Sequence, residues 1–86
     1  DSDSERQIIA TILATPGVVA LHDLKTRRAG DLILVDVHVE VPGHLSVAEG
    51  HDIALLVRTR VLSHHNVLHM MIHIDPCRAE SDAIVA

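Results

Sequence analysis

The middle of this chain carries an alternation of side chains that is typical of a β-strand. Every odd-numbered residue from 33 to 41 is Ile or Val, whereas positions 36, 38 and 40 between them carry Asp, His and Glu. Because successive side chains of a strand point to opposite faces, this pattern predicts a strand over Leu32–Val41 with one apolar and one polar face. The fold therefore contains a sheet whose apolar face needs a cover, and whose polar face presents His38 between two carboxylates.

Two helices and two further strands are predicted around this strand. They are a helix over Asp1–Ala14, a strand over Val18–Arg27, a helix over Ser46–Leu62 and a strand over Val67–Asp75. Imperfect alternation in the first strand indicates a β-bulge near His22–Asp23. The order α-β-β-α-β makes the first two strands an antiparallel hairpin and joins the last two through a helix, which favours a right-handed crossover. We predict a ferredoxin-like α+β sandwich, with both helices on one face of a three-stranded sheet.

Local signals support the second helix and the last strand. Ser46 and Glu49 have the spacing of a capping box, which predicts that the second helix begins there. In the last strand we expect a core-facing set and an opposite set. The core-facing residues are Leu68, Met70, Ile72 and Ile74, and the opposite set is His69, Met71, His73 and Asp75.

Length, charge and cysteine content limit the class of protein. The chain has 86 residues, which corresponds to one domain, and a net charge of -5, which argues against a nucleic-acid partner. A lone cysteine, Cys77, excludes a disulfide framework within the chain and fits a reduced cytosolic setting. We find no apolar stretch long enough to span a bilayer and no signal peptide. Because the first residue is Asp, we expect a fragment or a processed chain that is soluble by itself.

Histidine is the unusual residue of this composition, with eight in the chain. Neutral imidazole is a common ligand of transition metals. On the predicted polar face, His38 is expected to meet His73 and Asp75 of the last strand, whose H-x-D spacing puts both ligands on one side. His22 of the first strand and His51, early in the second helix, are further candidates. A single histidine on an open sheet face is often an ordinary surface residue, so the prediction of a metal site depends on these residues together.

The remaining histidines and the sulfur atoms have simpler interpretations. His64 and His65 lie at the end of the second helix, where they interact favourably with its exposed carbonyls and dipole. His44 is expected to be solvated. Cys77 is either a soft metal ligand or a reduced thiol, and the roles of His69 and Met71 stay open.

The sequence gives little support for catalysis. It contains no G-x-S-x-G, no H-E-x-x-H and no phosphate-binding glycine loop. A domain of this size also has little room for the enclosed cleft that a hydrolytic zinc enzyme needs. We therefore expect no enzymatic activity.

Several segments, in their order and spacing, match one family. In chain order they are Pro16-Gly17-Val18, His22–Arg27 with Gly30, Val35–Val41, Leu45-Ser46-Val47, His51 with Ile53-Ala54, and His73–Cys77. With these segments the chain resembles the cytosolic C-terminal domain of the cation diffusion facilitators, and most closely their bacterial zinc and iron efflux branch. The likeness runs from about Glu5 to Cys77. The sequence departs from the family in having no aromatic residue and in carrying His69-Met70-Met71 before the H-x-D pair.

The resemblance implies a function and a ligand set. Members of the family are membrane homodimers that exchange divalent metal for protons, and their cytosolic domain has a metallochaperone-like fold and dimerises. The resemblance also implies that residues 1–77 form this domain on the cytoplasmic side of the inner membrane, beside the transmembrane domain of the same transporter. The implied regulatory metal ligands are His22, His38, His51, His73 and Asp75, with Asp75 bridging two ions. Zn²⁺ is the first expectation, and Fe²⁺, Mn²⁺, Co²⁺, Ni²⁺ and Cu²⁺ are alternatives, because His and Asp ligands accept them all.

Three interpretations of function remain. In the first, metal neutralises the carboxylates near the site, draws two copies together and promotes transport. In the second, the chain is a free-standing metal carrier, although such modules usually carry a surface thiolate pair and this chain has one cysteine. In the third, it is a purely structural dimerisation module. We expect residues 78–86 to form a separate tail, either disordered or docked as a short strand.

Overall fold

The computed structural model describes residues 2–77 and contains two helices and three strands. They are α1 (Ser2–Leu13), β1 (Ala20–Ala29), β2 (Leu32–Val41), α2 (Val47–His64) and β3 (Val67–Pro76). The α-β-β-α-β order predicted from the sequence is confirmed. The tail that we predicted over residues 78–86 lies outside the described residues. Within residues 2–77, neither helix is long and apolar enough to cross a membrane.

The sheet has the strand order β1-β2-β3, with β2 in the centre. β1 and β2 pair antiparallel as a hairpin, and β2 and β3 pair parallel through the α2 crossover. Both helices cover one face of this sheet, because Ile8 and Ile12 of α1 and Val57 and Val61 of α2 are buried with the inward side chains of β2. Burial of each such side chain contributes roughly 1.5–3 kcal/mol. The other face carries the polar residues of all three strands.

A β-bulge in β1 decides which of its residues reach the polar face. The pairing with β2 shifts between His22 and Lys25, and Asp23 has a positive φ of 52°. The two residues of the bulge, Asp23 and Leu24, thus lie across from Val37, and Leu24 packs against the core. A left-handed conformation is tolerated by Asp better than by most residues. The predicted bulge is confirmed, and it lets His22 stand opposite His38.

A second irregularity corrects the prediction for the start of β3. Val67 pairs with Ile33 but His69 pairs with Leu34, so one extra residue is accommodated there. Val67 is consequently buried, whereas Leu68 is 56% exposed. The prediction that Leu68 faces the core is therefore wrong. From Met70 onward the prediction holds, with Met70 fully buried.

Capping fixes where α2 begins and how it joins the rest of the domain. The Ser46 hydroxyl accepts a hydrogen bond from the Glu49 amide at 3.1 Å, and the Ser46 amide donates to the Glu49 carboxylate at 2.9 Å. These hydrogen bonds lower the pKa of Glu49. At the other end, the His65 ring lies 2.7 Å from the Thr11 hydroxyl, which links α2 to α1, and burial lowers the pKa of His65. The capping box predicted from the sequence is confirmed.

Candidate metal centre

Three imidazole rings form a row across the polar face of the sheet. His22 pairs with His38 between β1 and β2, and His38 pairs with His73 between β2 and β3. The rings stack with centroids 5.0 Å apart for His22 and His38, and 4.5 Å apart for His38 and His73. The sheet register therefore brings three of the five predicted ligands together.

Asp75 completes a compact group of metal-ligating atoms at one side of this row. Its Oδ2 atom lies 2.9 Å from His38 Nδ1 and 3.4 Å from His22 Nε2. Within residues 2–77, one ligand atom from each of His22, His38 and Asp75 falls in a set whose members all lie within 4.8 Å of one another. Ligands held at 2.0–2.2 Å around a tetrahedral zinc ion are about 3.3–3.5 Å apart, so these separations suit a shared ion with small side-chain adjustments. The group offers three donors, one from each residue.

Two carboxylates of β2 contact the outer rings of the row. Glu40 Oε2 lies 3.1 Å from His22 Nδ1, and Asp36 Oδ1 lies 3.1 Å from His73 Nε2. The sequence alone predicts Asp36 and Glu40 only as negative charges on either side of His38. Their spacing of two residues from His38 was the available signal, because it places all three side chains on one face of β2.

His73 and His51 lie outside the compact group. His73 stacks on His38, but its Nε2 atom is directed at Asp36. His51 is exposed in the second turn of α2 and lines an open groove of about 460 Å³, together with residues such as Val41 and Ile74. Within a single copy of the chain, the structure thus gathers four of the five predicted residues on the sheet face and places His51 on a helix.

The other candidates are also located by the structure. Cys77 is buried, and its backbone amide donates to the Val41 carbonyl at 2.8 Å. Its position after β3 fits a core residue better than a ligand of the histidine row. His44 and His69 are exposed, and Met71 is 50% exposed.

Comparison with known proteins identifies the family. The family model described as "Cation efflux protein, cytoplasmic domain" matches residues 1–77. The chain is 35% identical over 80 residues to the cation-efflux pump FieF of Shewanella oneidensis. The matched segment covers 93% of this chain and 27% of the pump. It is 40% identical over 76 residues to FieF of Cronobacter sakazakii, covering 87% of this chain and 25% of that protein. The chain therefore spans about a quarter of the length of these relatives.

Solved structures give the same fold at lower sequence identity. The nickel form of a MamM CTD superimposes with a TM-score of 0.87 at 19% identity, covering 90% of this chain and 99% of the other. The manganese form of another MamM CTD superimposes with a TM-score of 0.84 at 21% identity, covering 88% and 98%. These two likenesses bear on the fold, whereas the family match covers all described residues. The chain belongs to the family of cytoplasmic domains of cation efflux proteins.

Proposed function

We propose that this domain is the metal-sensing part of a divalent-cation efflux transporter, and that it binds Zn²⁺ or a similar transition metal on the polar sheet face. The observation that carries the proposal is that His22, His38 and Asp75 each offer one ligand atom to a set whose members all lie within 4.8 Å of one another. Nitrogen and carboxylate donors in this number are those that zinc takes from proteins. The pumps named FieF and the manganese and nickel forms of MamM CTD lend support from related proteins.

A second ion fits beside the first in this proposal. Asp75 directs Oδ2 to His22 and His38, and we propose that its other carboxylate oxygen binds an ion on the side of His73. His73 lies on the same face, stacked on His38. Asp75 would then bridge two ions, with His73 a ligand of the second. His51 is the remaining member of the proposed ligand set.

Negative charge on the same face supplies the physical basis of a metal-dependent switch. Asp36, Glu40 and Asp75 all lie next to the histidine row, and the whole chain has a net charge of -5. Without metal, two such faces repel each other when they approach. Cations neutralise this charge, so metal binds a closed homodimer more tightly than an open one and shifts the population towards the closed form. The closed form would promote transport through the membrane part of the protein.

Calorimetric titration of the metal-free domain with zinc tests the proposal. We expect binding at micromolar or lower concentrations with more than one ion per chain, and we expect Asp75→Ala to abolish the tightest site. Asp31→Ala is the matched control, because Asp31 lies at the β1–β2 turn, roughly 20 Å from His38 at about 3.3 Å per strand residue. Weak binding that is the same in all three proteins would contradict metal sensing and would leave a structural dimerisation module.

A further inference from the structure

The central strand supplies one carboxylate to each outer ring of the histidine row. Glu40 contacts His22 through Nδ1, and Asp36 contacts His73 through Nε2, both at 3.1 Å. The two carboxylates therefore engage chemically different nitrogens of their respective rings.

We propose that Glu40 and Asp36 are positioning residues that hold His22 and His73 in opposite tautomers, ready for metal. The inference rests on the proposed function and assigns roles to two residues outside the metal ligand set. Glu40 accepts the Nδ1–H of His22, which leaves the Nε2 lone pair of that ring as the metal ligand. Asp36 accepts the Nε2–H of His73, which leaves Nδ1 of that ring as the ligand.

The geometry at His22 agrees with this assignment. The nitrogen that Glu40 does not contact is Nε2, which lies 3.4 Å from Asp75 Oδ2 and 3.9 Å from Asp23 Oδ2 and so faces the carboxylate of the proposed metal site. Had Glu40 contacted Nε2, the ring would present a protonated nitrogen to the site and would need to flip before it could bind. Histidine ligands of metals commonly donate their other N–H to a carboxylate, which orients the ring and raises its basicity.

The solvent exposure of the two histidine–carboxylate pairs indicates that Glu40 and Asp36 position the rings and contribute little to the stability of the fold. The side chains are 42% exposed for His22, 28% for Glu40, 44% for His73 and 49% for Asp36. Ion pairs this exposed contribute little to folding. Loss of a carboxylate that orients a metal ligand, in contrast, typically weakens metal affinity about 10–100-fold. Variants of Glu40 and Asp36 should therefore change metal binding while leaving the melting temperature almost unchanged.

Tautomers can be measured in the metal-free domain, so the first test does not depend on zinc. Long-range ¹H–¹⁵N NMR distinguishes the two tautomers of each ring at a pH about two units above the reference imidazole pKa near 6.5. We expect His22 in the Nδ1–H form and His73 in the Nε2–H form. The His22 result is the more diagnostic, since an unconstrained histidine favours the Nε2–H form. Glu40→Gln should shift His22 towards that form and leave His73 unchanged.

Zinc titration of the same proteins gives the second test. Glu40→Gln and Asp36→Asn should each weaken zinc binding about tenfold or more, whereas Asp31→Asn, which removes the same charge at the distant turn, should bind like the unchanged domain. An Nε2–H tautomer at His22, or unchanged zinc affinity in both variants, would overturn the positioning roles while leaving the metal site intact. Failure of the unchanged domain to bind zinc would instead overturn the proposed function. The positioning roles of Glu40 and Asp36 would then fail with it, because they depend on metal binding.

Discussion

Gly17 lies in the turn after α1, where neither the backbone nor the surroundings accept a side chain. Its φ is +94°, and an added Cβ would lie 2.6 Å from Cδ1 of Ile53. Gly30, in the β1–β2 turn, also has a positive φ of +66° but has nothing within 4 Å of an added Cβ. Substitution of these two glycines therefore separates the cost of backbone strain, which both share, from the cost of displacing a neighbouring side chain, which applies to Gly17 alone.

Replacement of Gly17 is expected to be the more damaging of the two changes. Gly17→Ala should lower the free energy of unfolding by about 1–3 kcal/mol from strain, with a further loss because the Ile53 side chain must move. Gly30→Ala should cost only the strain of a left-handed alanine, about 1–2 kcal/mol. Urea denaturation of both variants measures the difference. Equal losses of unfolding free energy in the two variants would show that the Ile53 side chain moves aside without an energetic penalty.

The site residues differ in how far the sequence could predict them. His38, His73 and Asp75 follow from alternation along two strands, and the structure places all three on the polar face. His22 could be added only as a candidate, because its orientation depends on the bulge at Asp23, which the sequence indicates without fixing its register. The contacts of Glu40 and Asp36 depend on the pairing of three strands, and a single sequence does not give that pairing.

At the scale of the elements, β2 was predictable throughout and β3 was not. β2 alternates without interruption, and its burial alternates in the same way from one end to the other. In β3 the extra residue near Leu68 is associated with the short connection between α2 and β3. The Asn66 carbonyl accepts a hydrogen bond from the Ile33 amide at 3.0 Å, so Val67 begins the pairing and takes the core position. Such a contact between distant parts of the chain leaves no periodic signal.

The register of β3 can be tested by truncating side chains on either side of the irregularity. Met70→Ala should lower the free energy of unfolding by about 2–5 kcal/mol, because Met70 is fully buried. Leu68→Ala should change it by less than about 0.5 kcal/mol, because Leu68 is 56% exposed. Chemical denaturation gives both values. A large loss of unfolding free energy for Leu68→Ala would contradict the register shift and would favour the unshifted strand that alternation alone predicts.

At the scale of the whole molecule, one face of the sheet builds the core and the other is left open. The covered face holds the aliphatic residues of both helices and β2, and the open face holds the histidines and carboxylates. This division could be predicted from the sequence, because the alternation in β2 separates the two sets.

Small-angle scattering with and without zinc tests the metal-dependent closure of a homodimer. We expect the radius of gyration of the dimer to decrease when zinc is added, because neutralised carboxylates let the two copies approach. Asp75→Ala should abolish this change and Asp31→Ala should not. A dimer whose dimensions are the same with and without zinc would contradict the switch while leaving metal binding itself untouched.

A crystal structure of the zinc-loaded domain, with anomalous scattering recorded at the zinc edge, would locate the bound metal directly. We expect an anomalous peak about 2.0–2.2 Å from His22 Nε2, His38 Nδ1 and a carboxylate oxygen of Asp75. Peaks confined to exposed histidines such as His44 or His64, with none at Asp75, would contradict a metal centre on the sheet face.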